Sequence, residues 1–428
     1  MRPQDVRLPA AMAADLRERA QALLELGTLG AEAGPGAAAA IAELAARLEN
    51  NYPYPDAMYA GQMLKPPAPV AWAAYATAML LNPNNHALDG GPATAELERE
   101  AVEQLRVMLG VPAPGLGHLT SSGTVANLEA LWVARELTGG ATVLSSAGAH
   151  YTHARMCGVL GVEHEAVATD ARGRMDLDAL ADRLARGGVG TVVATVGSTS
   201  IGALDDAGAI AGLCADHGAR LHVDTAYGGF FSLLADGGHP GVAEGPFAAI
   251  ARADSVVIDP HKHGLQPYGC GCVLFADPDV GRLYAHDSPY TYFTSPDLHL
   301  GEISLECSRA GASAAALWAT LRALPLTREG LGAGLGDCRA AALALADRLD
   351  ADERVELLAP PELDIVCVRA PGADAERAFH SLAADGWHVA TLRTDQGTAL
   401  RCCLLKPEHL GVVDELAEAL AAALSQSS

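Results

Sequence analysis

The chain has 428 residues, of which half are apolar and 19% are charged, so it can bury a sizeable core and lacks the composition of a disordered protein. Its length predicts two or three domains, or one large domain with a small appendage. The formal net charge of −23 argues against nucleic acid or anionic lipid as a partner, because an acidic surface repels both.

The sequence also predicts a cytoplasmic protein without a membrane segment. No apolar run approaches the ~18 residues needed to span a membrane, and no apolar signal region follows Met1. The nine cysteines are scattered, which fits buried thiols in a reducing compartment. Neighbours such as Cys270 and Cys272 have the wrong spacing for zinc knuckles, so we predict no metal site.

Residues 1–55 are predicted to form a helical arm. Apolar residues at three- and four-residue spacing predict helices over Ala10–Leu26 and Ala37–Leu48. Such an arm is either an oligomer contact or packs on its own domain. Residues 51–92 are rich in Pro, Asn and Tyr and predict an irregular, functional stretch, after which a helix runs from Thr94 to Leu109.

Residues 115–280 alternate between short apolar runs and helical stretches, which predicts an α/β domain, and we assign residues 56–305 to this large domain. Continuous apolar strands between helices are typical of a mainly parallel sheet that is covered on both faces. The predicted strands are Ala141–Leu144, Val189–Val196, Arg220–Val223, Ser255–Ile258 and Gly271–Phe275, and the helices include Ala126–Leu137, Leu177–Arg186 and Ala207–His217.

Residues 306–428 predict a smaller α+β domain, because runs of helices and strands follow each other without strict alternation. The predicted helices are Ala310–Leu324, Ala340–Leu349, Asp374–Ala384 and His409–Leu424, and the predicted strands are Val355–Leu358, Ile365–Arg369 and Ala399–Leu405.

The segment from Ser255 to Gly264 places Lys262 in a loop directly after a predicted strand, with His261 and His263 on either side. Strand ends in parallel sheets are where ligands bind. A lysine becomes a nucleophile toward an aldehyde when partial burial lowers its pKa. Taken alone, however, a loop lysine is more often exposed and without function.

Asp224 ends a second apolar strand and is followed by the small residue Ala226. A carboxylate there can keep a pyridine nitrogen protonated, which makes the ring an electron sink, and Ala226 leaves room for a flat ring. By itself, Asp224 is better explained as a capping residue in a strand-to-loop turn.

The segment Thr120–Asn127 is rich in hydroxyl groups and directly precedes a helix. Backbone N–H groups at a helix N-terminus form an anion site, so Ser122, Gly123 and Thr124 are candidates to bind a phosphate. An ordinary Ser/Thr-capped helix is the alternative.

Two further loops follow strands. His150 could stack on an aromatic cofactor and transfer protons, although a single histidine is more often structural. The loop from Gly197 to Asp206 carries several hydroxyl groups, including that of Thr199. Five individually weak signals follow one another in a consistent order, each at the end of a successive strand, which is far less probable by chance than any one of them.

In this order the sequence resembles the group II pyridoxal 5′-phosphate (PLP)-dependent amino acid decarboxylases, which have the aspartate aminotransferase-like fold type I. The resemblance covers residues 50–320 well and the C-terminal part loosely. It implies a large domain with a mainly parallel, seven-stranded sheet between helices and a small C-terminal α+β domain. The matching segments are Thr120–Asn127, His150–Thr152, Gly197–Thr199, Gly202–Asp205, His222–Gly229 and Asp259–Lys262.

The resemblance implies a role for each motif. Lys262 would carry PLP as a Schiff base, Asp224 would keep the ring nitrogen positive, and His150 and Ala226 would lie on opposite ring faces. The implied cofactor-binding residues are Ser122, Gly123, Thr124, His150, Thr199, Asp224, Ala226, His261 and Lys262. The family also implies a homodimer with a shared active site.

The substrate side is less determined. A tyrosine from a flexible loop often donates the proton in this family, and Tyr290 and Tyr292 are the candidates. Asn85 lies in a segment that resembles the family's substrate side, and Arg401 could pair with the substrate carboxylate or be structural. Val125 and Ser122 depart from the family's phosphate loop, and residues 286–294 match no substrate-specific loop.

The sequence therefore predicts decarboxylation of an L-amino acid to an amine. Two alternatives stay open: another PLP reaction on the same scaffold, such as β-elimination, transamination or carbon–carbon lyase chemistry of the sphingosine phosphate lyase type, and a non-catalytic scaffold. The scaffold is disfavoured because Lys262, Asp224 and His150 are all present.

Overall fold

A computed structural model of the chain describes residues 6–27, 34–235, 239, 241–285, 304–394 and 397–427. A seven-stranded sheet forms its centre in the order β1-β7-β6-β5-β4-β2-β3. Only β7 runs against its neighbours within this sheet, which confirms the mainly parallel sheet. The strands are β1 Leu116–Thr120, β2 Thr142–Ser146, β3 His164–Val167, β4 Val189–Thr195, β5 Arg220–Asp224, β6 Ser255–Ile258 and β7 Gly271–Phe275.

Helices cover this sheet, and every residue of the inner strands β2, β6 and β7 is buried, as expected when both faces are packed. The helices up to Ala323 are α1 Ala10–Leu26, α2 Ala37–Leu48, α3 Pro69–Met79, α4 Pro92–Met108, α5 Gly123–Thr138, α6 Thr152–Leu160, α7 Leu177–Ala185, α8 Ala207–His217, α9 Gly245–Ala248, α10 Gly281–Tyr284 and α11 Gly311–Ala323.

Helix α3 corrects the expectation that residues 51–92 are irregular throughout. Pro69 occupies its first turn, where the missing N–H costs nothing, and the alanines that follow are strong helix formers. Ala71 is fully buried in one cluster with Ala316 of α11. Packing between α3 and α11 therefore stabilises a helix within residues 51–92, a segment whose prolines predict irregular structure.

The predicted small domain is also present. Its antiparallel sheet has the order β10-β11-β9-β8, and one apolar core joins this sheet to the helices on it. The elements are α12 Leu331–Asp350, β8 Glu356–Leu357, β9 Ile365–Arg369, α13 Ala375–Ala384, β10 Ala390–Thr394, β11 Gly397–Cys403 and α14 Val413–Ser425.

The helical arm consists of α1 and α2, which pack on each other. Each of them buries a single residue, Ala13 and Ala45, and the arm exposes Leu26 and Leu44. The domain boundaries at 55/56 and 305/306 stay predictions. Throughout the described ranges, we find no helix whose length and apolar character would let it traverse a bilayer.

Candidate active site

One cavity of about 260 Å³ lies where the chain leaves the carboxyl ends of the parallel strands, the edge at which open α/β sheets bind ligands. It brings together the nine residues expected to bind the cofactor, Ser122, Gly123, Thr124, His150, Thr199, Asp224, Ala226, His261 and Lys262. The rest of its lining is Asn127, Tyr151, Thr152, Thr195, Gly197, Tyr227 and Asp259. The five separate sequence motifs thus form a single site.

Lys262 lies in the loop after β6, where its ammonium group contacts a buried carboxylate. Its Nζ is 3.0 Å from Asp259 Oδ2, and the two side chains are 18% and 4% exposed. Next to it, His261 Nδ1 lies 2.7 Å from the backbone oxygen of Cys270, and its Nε2 is 3.6 Å from Asp259. Asp259 therefore acts as the counter-ion that holds Lys262 in the cavity.

The chain contains three lysines, and Lys262 is the one that lines the cavity. Lys65 Nζ donates to the backbone oxygen of Leu405 at 3.0 Å. Lys406 Nζ donates to the backbone oxygens of Tyr54 and Tyr59 at 3.2 and 2.5 Å. The other two lysines thus hold backbone segments together.

The N-terminus of α5 forms the anion-binding end of the cavity. The Val125 N–H donates to the Ser122 hydroxyl at 3.2 Å, so Ser122 caps the helix. The next N–H groups, of Gly123 and Thr124, have no partner within a helix at this position and attract an anion. A Cβ on Gly123 would lie 2.4–2.7 Å from the Asp259 carboxylate, so this position accepts only glycine.

Asp224 is held by two donors at the end of β5. The Ala226 N–H donates to its Oδ1 at 2.9 Å, and His153 Nε2 lies 3.0 Å from its Oδ2, with the imidazole fully buried. Burial alone would raise the pKa of Asp224, but the contact with His153 and the Ala226 N–H hold that pKa well below its usual value. The carboxylate is therefore ionised at neutral pH and can keep a pyridine nitrogen protonated.

His150 lies on the loop between β2 and α6. The Thr152 N–H donates to its Nδ1 at 3.2 Å, so a neutral ring carries its proton on Nε2. Burial lowers the pKa of His150, and although the charge of Asp224 opposes this shift, the charge of Lys262 adds to it. The ring is thus an uncharged, flat surface in the cavity wall, and Tyr151 packs on it with ring centroids 4.3 Å apart.

The hydroxyl-rich loop after β4 is fixed by Asp205 and Arg401. The buried Asp205 carboxylate accepts the N–H groups of Thr195 and Met175, each at 2.7 Å. Burial raises the pKa of Asp205 to about 6. From the small domain, Arg401 donates to the backbone oxygens of Thr199 and Ser200 at 2.7 and 2.9 Å. These contacts set the position of Thr199 in the cavity wall.

The two residues suggested for the substrate lie away from the cavity lining. Arg401 contacts the backbone of the hydroxyl-rich loop after β4 and does not line the cavity. The side chain of Asn85 is buried, donates to Glu98 at 2.7 Å and accepts from Thr94 at 2.5 Å, and Glu98 pairs with Arg309 at 2.6 Å. These contacts favour structural roles for Asn85 and Arg401. Tyr290 and Tyr292 lie outside the described residues, so their suggested role as proton donors stays a prediction.

The residues with no role assigned from the sequence include three that contact or line the site, namely His153, Asp259 and Tyr227. Asp259 and Tyr227 stand within the motifs themselves, and His153 lies three residues after His150. Their proximity to cavity residues was therefore available as a signal, but their partners were not, because those partners come from other parts of the chain.

A family model of the pyridoxal-dependent decarboxylase conserved domain matches residues 70–371, which is most of the chain and includes every motif of the cavity. The chain belongs to the pyridoxal-dependent decarboxylase family. The family's cofactor is PLP, and its enzymes are carbon–carbon lyases, which confirms the resemblance seen in the sequence.

Relatives agree with this placement in the pyridoxal-dependent decarboxylase family. A probable L-aspartate decarboxylase of Halobacterium salinarum is 33% identical over 78% of this chain and 87% of its own length. An L-2,4-diaminobutyrate decarboxylase of Rhizobium meliloti is 33% identical over 79% of this chain and 70% of its own length.

Two solved structures share the fold of this decarboxylase family member. Mouse CSAD has a TM-score of 0.81 at 23% identity, covering 95% of this chain and 91% of that one. A sphingosine-1-phosphate lyase of Burkholderia pseudomallei has a TM-score of 0.80 at 21% identity, covering 93% and 92%. Both likenesses confirm the fold type I architecture.

The cavity suits the cofactor of the family. Among the described residues, the Thr152 and Thr195 hydroxyls and Asp259 Oδ1 are buried without a hydrogen-bond partner, and buried polar groups of this kind normally bind something. The missing Cβ of Gly123 and the start of α5 leave space and N–H donors at one end, and Lys262 and Asp224 supply charge. These features match a polar, anionic ring compound such as PLP.

Proposed function

We propose that this protein decarboxylates an L-amino acid to the corresponding amine, with Lys262 as the residue that holds PLP covalently. The observation that supports this most directly is that Lys262, Asp224 and His150 line one cavity together with the anion site at the start of α5. Each of these groups has a distinct chemical role toward PLP.

The proposed contacts follow from the site. The N–H groups of Gly123 and Thr124, with the Ser122 and Thr124 hydroxyls and His261, would hold the phosphate. Asp224 would hold the proton on the ring nitrogen, and His150 and Ala226 would enclose the ring. Thr199 lines the same wall. Bound PLP supplies an electron sink that stabilises a carbanion at the substrate Cα.

The residues of this chain would then decide which bond at Cα breaks. A decarboxylase keeps the substrate carboxylate out of the ring plane and away from a strong cation. Arg401, the candidate for pairing with that carboxylate, is occupied by the backbone oxygens of Thr199 and Ser200. This supports loss of CO₂ over transamination, and His150 Nε2 and the proposed tyrosines Tyr290 and Tyr292 are candidates to return a proton.

The relatives do not identify which amino acid is the substrate of this protein. The two curated proteins described above are equally similar and are named for aspartate and for 2,4-diaminobutyrate, amino acids whose side chains carry opposite charges. We propose that residues 52–93 and the loop 284–299 select the side chain. Most of that loop lies outside the described residues.

The test is a panel of L-amino acids incubated with the PLP-loaded protein, with CO₂ and the amine product measured by mass spectrometry. Release of equal amounts of CO₂ and amine from at least one amino acid supports the proposal, and Lys262→Ala should abolish it. Formation of an α-keto acid, ammonia with pyruvate, or an aldehyde without CO₂ would instead indicate transamination, elimination or carbon–carbon lyase chemistry.

We also propose a cytoplasmic homodimer. All nine cysteines are free and eight of them are buried, which suits a reducing compartment. The exposed leucines of α1 and α2 suit a contact with a second copy, because such apolar groups are usually covered in an assembly. Light scattering of the active enzyme measures this directly, and a monomer mass would contradict the dimer.

A further inference from the structure

A short strip of the small domain, residues 362–364, packs against the large domain behind the cavity. Glu362 accepts the N–H of Leu204 at 2.9 Å and pairs with Nε and Nη2 of Arg174. Leu363 is fully buried, and its Cδ1 lies 3.1–3.2 Å from where a Cβ would stand on Gly197 or Gly228. The strip is thus fitted closely to the loops that end β4 and β5.

Asp364 is the last residue of this strip and makes two polar contacts in the interior. Its Oδ1 accepts the hydroxyl of Tyr227 at 2.5 Å. Its Oδ2 is 3.3 Å from His263 Nε2, and both side chains of that pair are completely buried. The rings of Tyr227 and His263 also pack on each other, with centroids 4.8 Å apart.

The two partners of Asp364 lie in the two loops that carry Asp224 and Lys262. Tyr227 directly follows Ala226 and comes three residues after Asp224, and His263 directly follows Lys262. Tyr227 itself lines the cavity. One carboxylate from the small domain therefore connects the loop that would hold the ring nitrogen to the loop that carries the lysine.

We propose that Asp364 is a positioning residue of the active site, which fixes the loops of Asp224 and Lys262 relative to each other through Tyr227 and His263. The side chain does not line the cavity, so it acts through these two neighbours. The inference rests on the proposed role of Lys262 as the lysine that holds PLP.

The energetics of the contacts fit this role. A buried carboxylate is costly unless it is hydrogen-bonded, and the Tyr227 hydroxyl supplies such a bond to Oδ1. Burial raises the pKa of Asp364 to about 6, while the Tyr227 hydroxyl and the charges of Lys65 and Arg339 lower it. The group is thus largely ionised at pH 7 and is a strong acceptor for the Tyr227 hydroxyl.

The experiment compares Asp364→Ala, Asp364→Asn and Tyr227→Phe in the full-length protein. The readouts are the PLP dissociation constant, from absorbance near ~420 nm, and the visible circular dichroism per mole of bound PLP, which reports how rigidly the cofactor is oriented. Asp374→Ala is the matched control, because Asp374 caps α13 in the small domain and lies outside the cavity.

We expect Asp364→Ala and Tyr227→Phe to weaken PLP binding at least ~10-fold, which corresponds to about 1.4 kcal/mol, and to lower the circular dichroism at saturating PLP. Asp364→Asn should keep most of the PLP affinity and most of the circular dichroism, because its amide oxygen still accepts from Tyr227. Asp374→Ala should change neither.

If Asp364→Ala and Asp374→Ala bind PLP equally well and give the same circular dichroism, the inference is wrong. Should Asp364→Ala not fold, Tyr227→Phe carries the test, because it removes one hydroxyl and keeps the ring. A failure of the Lys262 assignment looks different, because the Lys262→Ala variant would then keep the ~420 nm band of the wild-type protein.

Discussion

His153 Nε2 lies 3.0 Å from Asp224 Oδ2, and the imidazole is completely buried. Together with the Ala226 N–H, this contact offsets the effect of burial and keeps the pKa of Asp224 well below its ordinary value. Asp224 stands at the end of β5, and its charge therefore depends on a histidine that lies on another element, α6.

We expect His153→Phe to lower kcat/KM about 10-fold, the effect of losing roughly 1.4 kcal/mol of transition-state stabilisation. Without the imidazole, burial raises the pKa of Asp224 and weakens its hold on the ring proton. The measurement is kcat/KM on the best substrate of the amino acid panel. His164→Phe is the control, because His164 bonds Ser145 on the neighbouring strand instead. Equal activities of both variants would contradict this role.

Gly123 and Asp259 give a second prediction. We expect Gly123→Ala to abolish PLP binding, because its Cβ would lie 2.4–2.7 Å from the carboxylate that holds Lys262. Absorbance near ~420 nm measures this loss. Gly212→Ala is the matched control within α8, where a Cβ meets nothing within 4 Å and should stabilise the helix by about 0.5–1 kcal/mol. Normal binding in Gly123→Ala would mean that Asp259 can move without cost.

Much of the fold could be predicted because hydrophobic periodicity is a local property. The helices Ala10–Leu26 and Ala207–His217 and the strand Ile365–Arg369 have the bounds that the pattern predicts. Helix α12 begins at Leu331, nine residues before its predicted start at Ala340. The early turns contain Gly332, Gly334 and Gly336, which are poor helix formers, so tertiary packing there decides the structure.

The site residues likewise include some that local sequence patterns identify and others that they do not. Lys262, Asp224 and Thr124 could be identified because each stands in a short motif at a strand end. The roles of Arg401 and Asn85 could not, because they depend on partners far along the chain: Arg401 contacts Thr199 across 202 residues. Distances of that kind are set by domain packing, which no local pattern records.

Arg401 gives a third prediction, which separates its two suggested roles. We expect Arg401→Lys to weaken PLP binding about 3–10-fold, because a lysine cannot supply both donors to Thr199 and Ser200 and leaves a buried carbonyl unpaired at a cost of about 1–3 kcal/mol. The measurement is the PLP dissociation constant beside KM. A higher KM with unchanged PLP affinity would instead show that Arg401 binds the substrate carboxylate.

His222 gives a prediction for stability against pH. Its ring nitrogens lie 2.9 Å from Asn127 Oδ1 and from Ser255 Oγ, and burial lowers its pKa to about 4 from 6.5. The folded protein therefore keeps this imidazole neutral, while the unfolded chain takes up a proton below pH 6.5. Its stabilising contribution is fully present above pH 6.5 and is lost as the pH falls toward 4.

We therefore expect the wild-type melting temperature to fall more steeply between pH 7.5 and pH 5 than that of His222→Gln, measured by circular dichroism on the PLP-free protein. Asp205 and Asp364, whose pKa burial raises to about 6, act in the opposite direction below pH 6. They are shared by both proteins and cancel in the difference, since contributions from independent groups add. His217→Gln, at an exposed helix end, should follow the wild type. Parallel curves for wild type and His222→Gln would contradict the prediction, because they would show that His222 binds a proton as readily in the folded protein as in the unfolded chain.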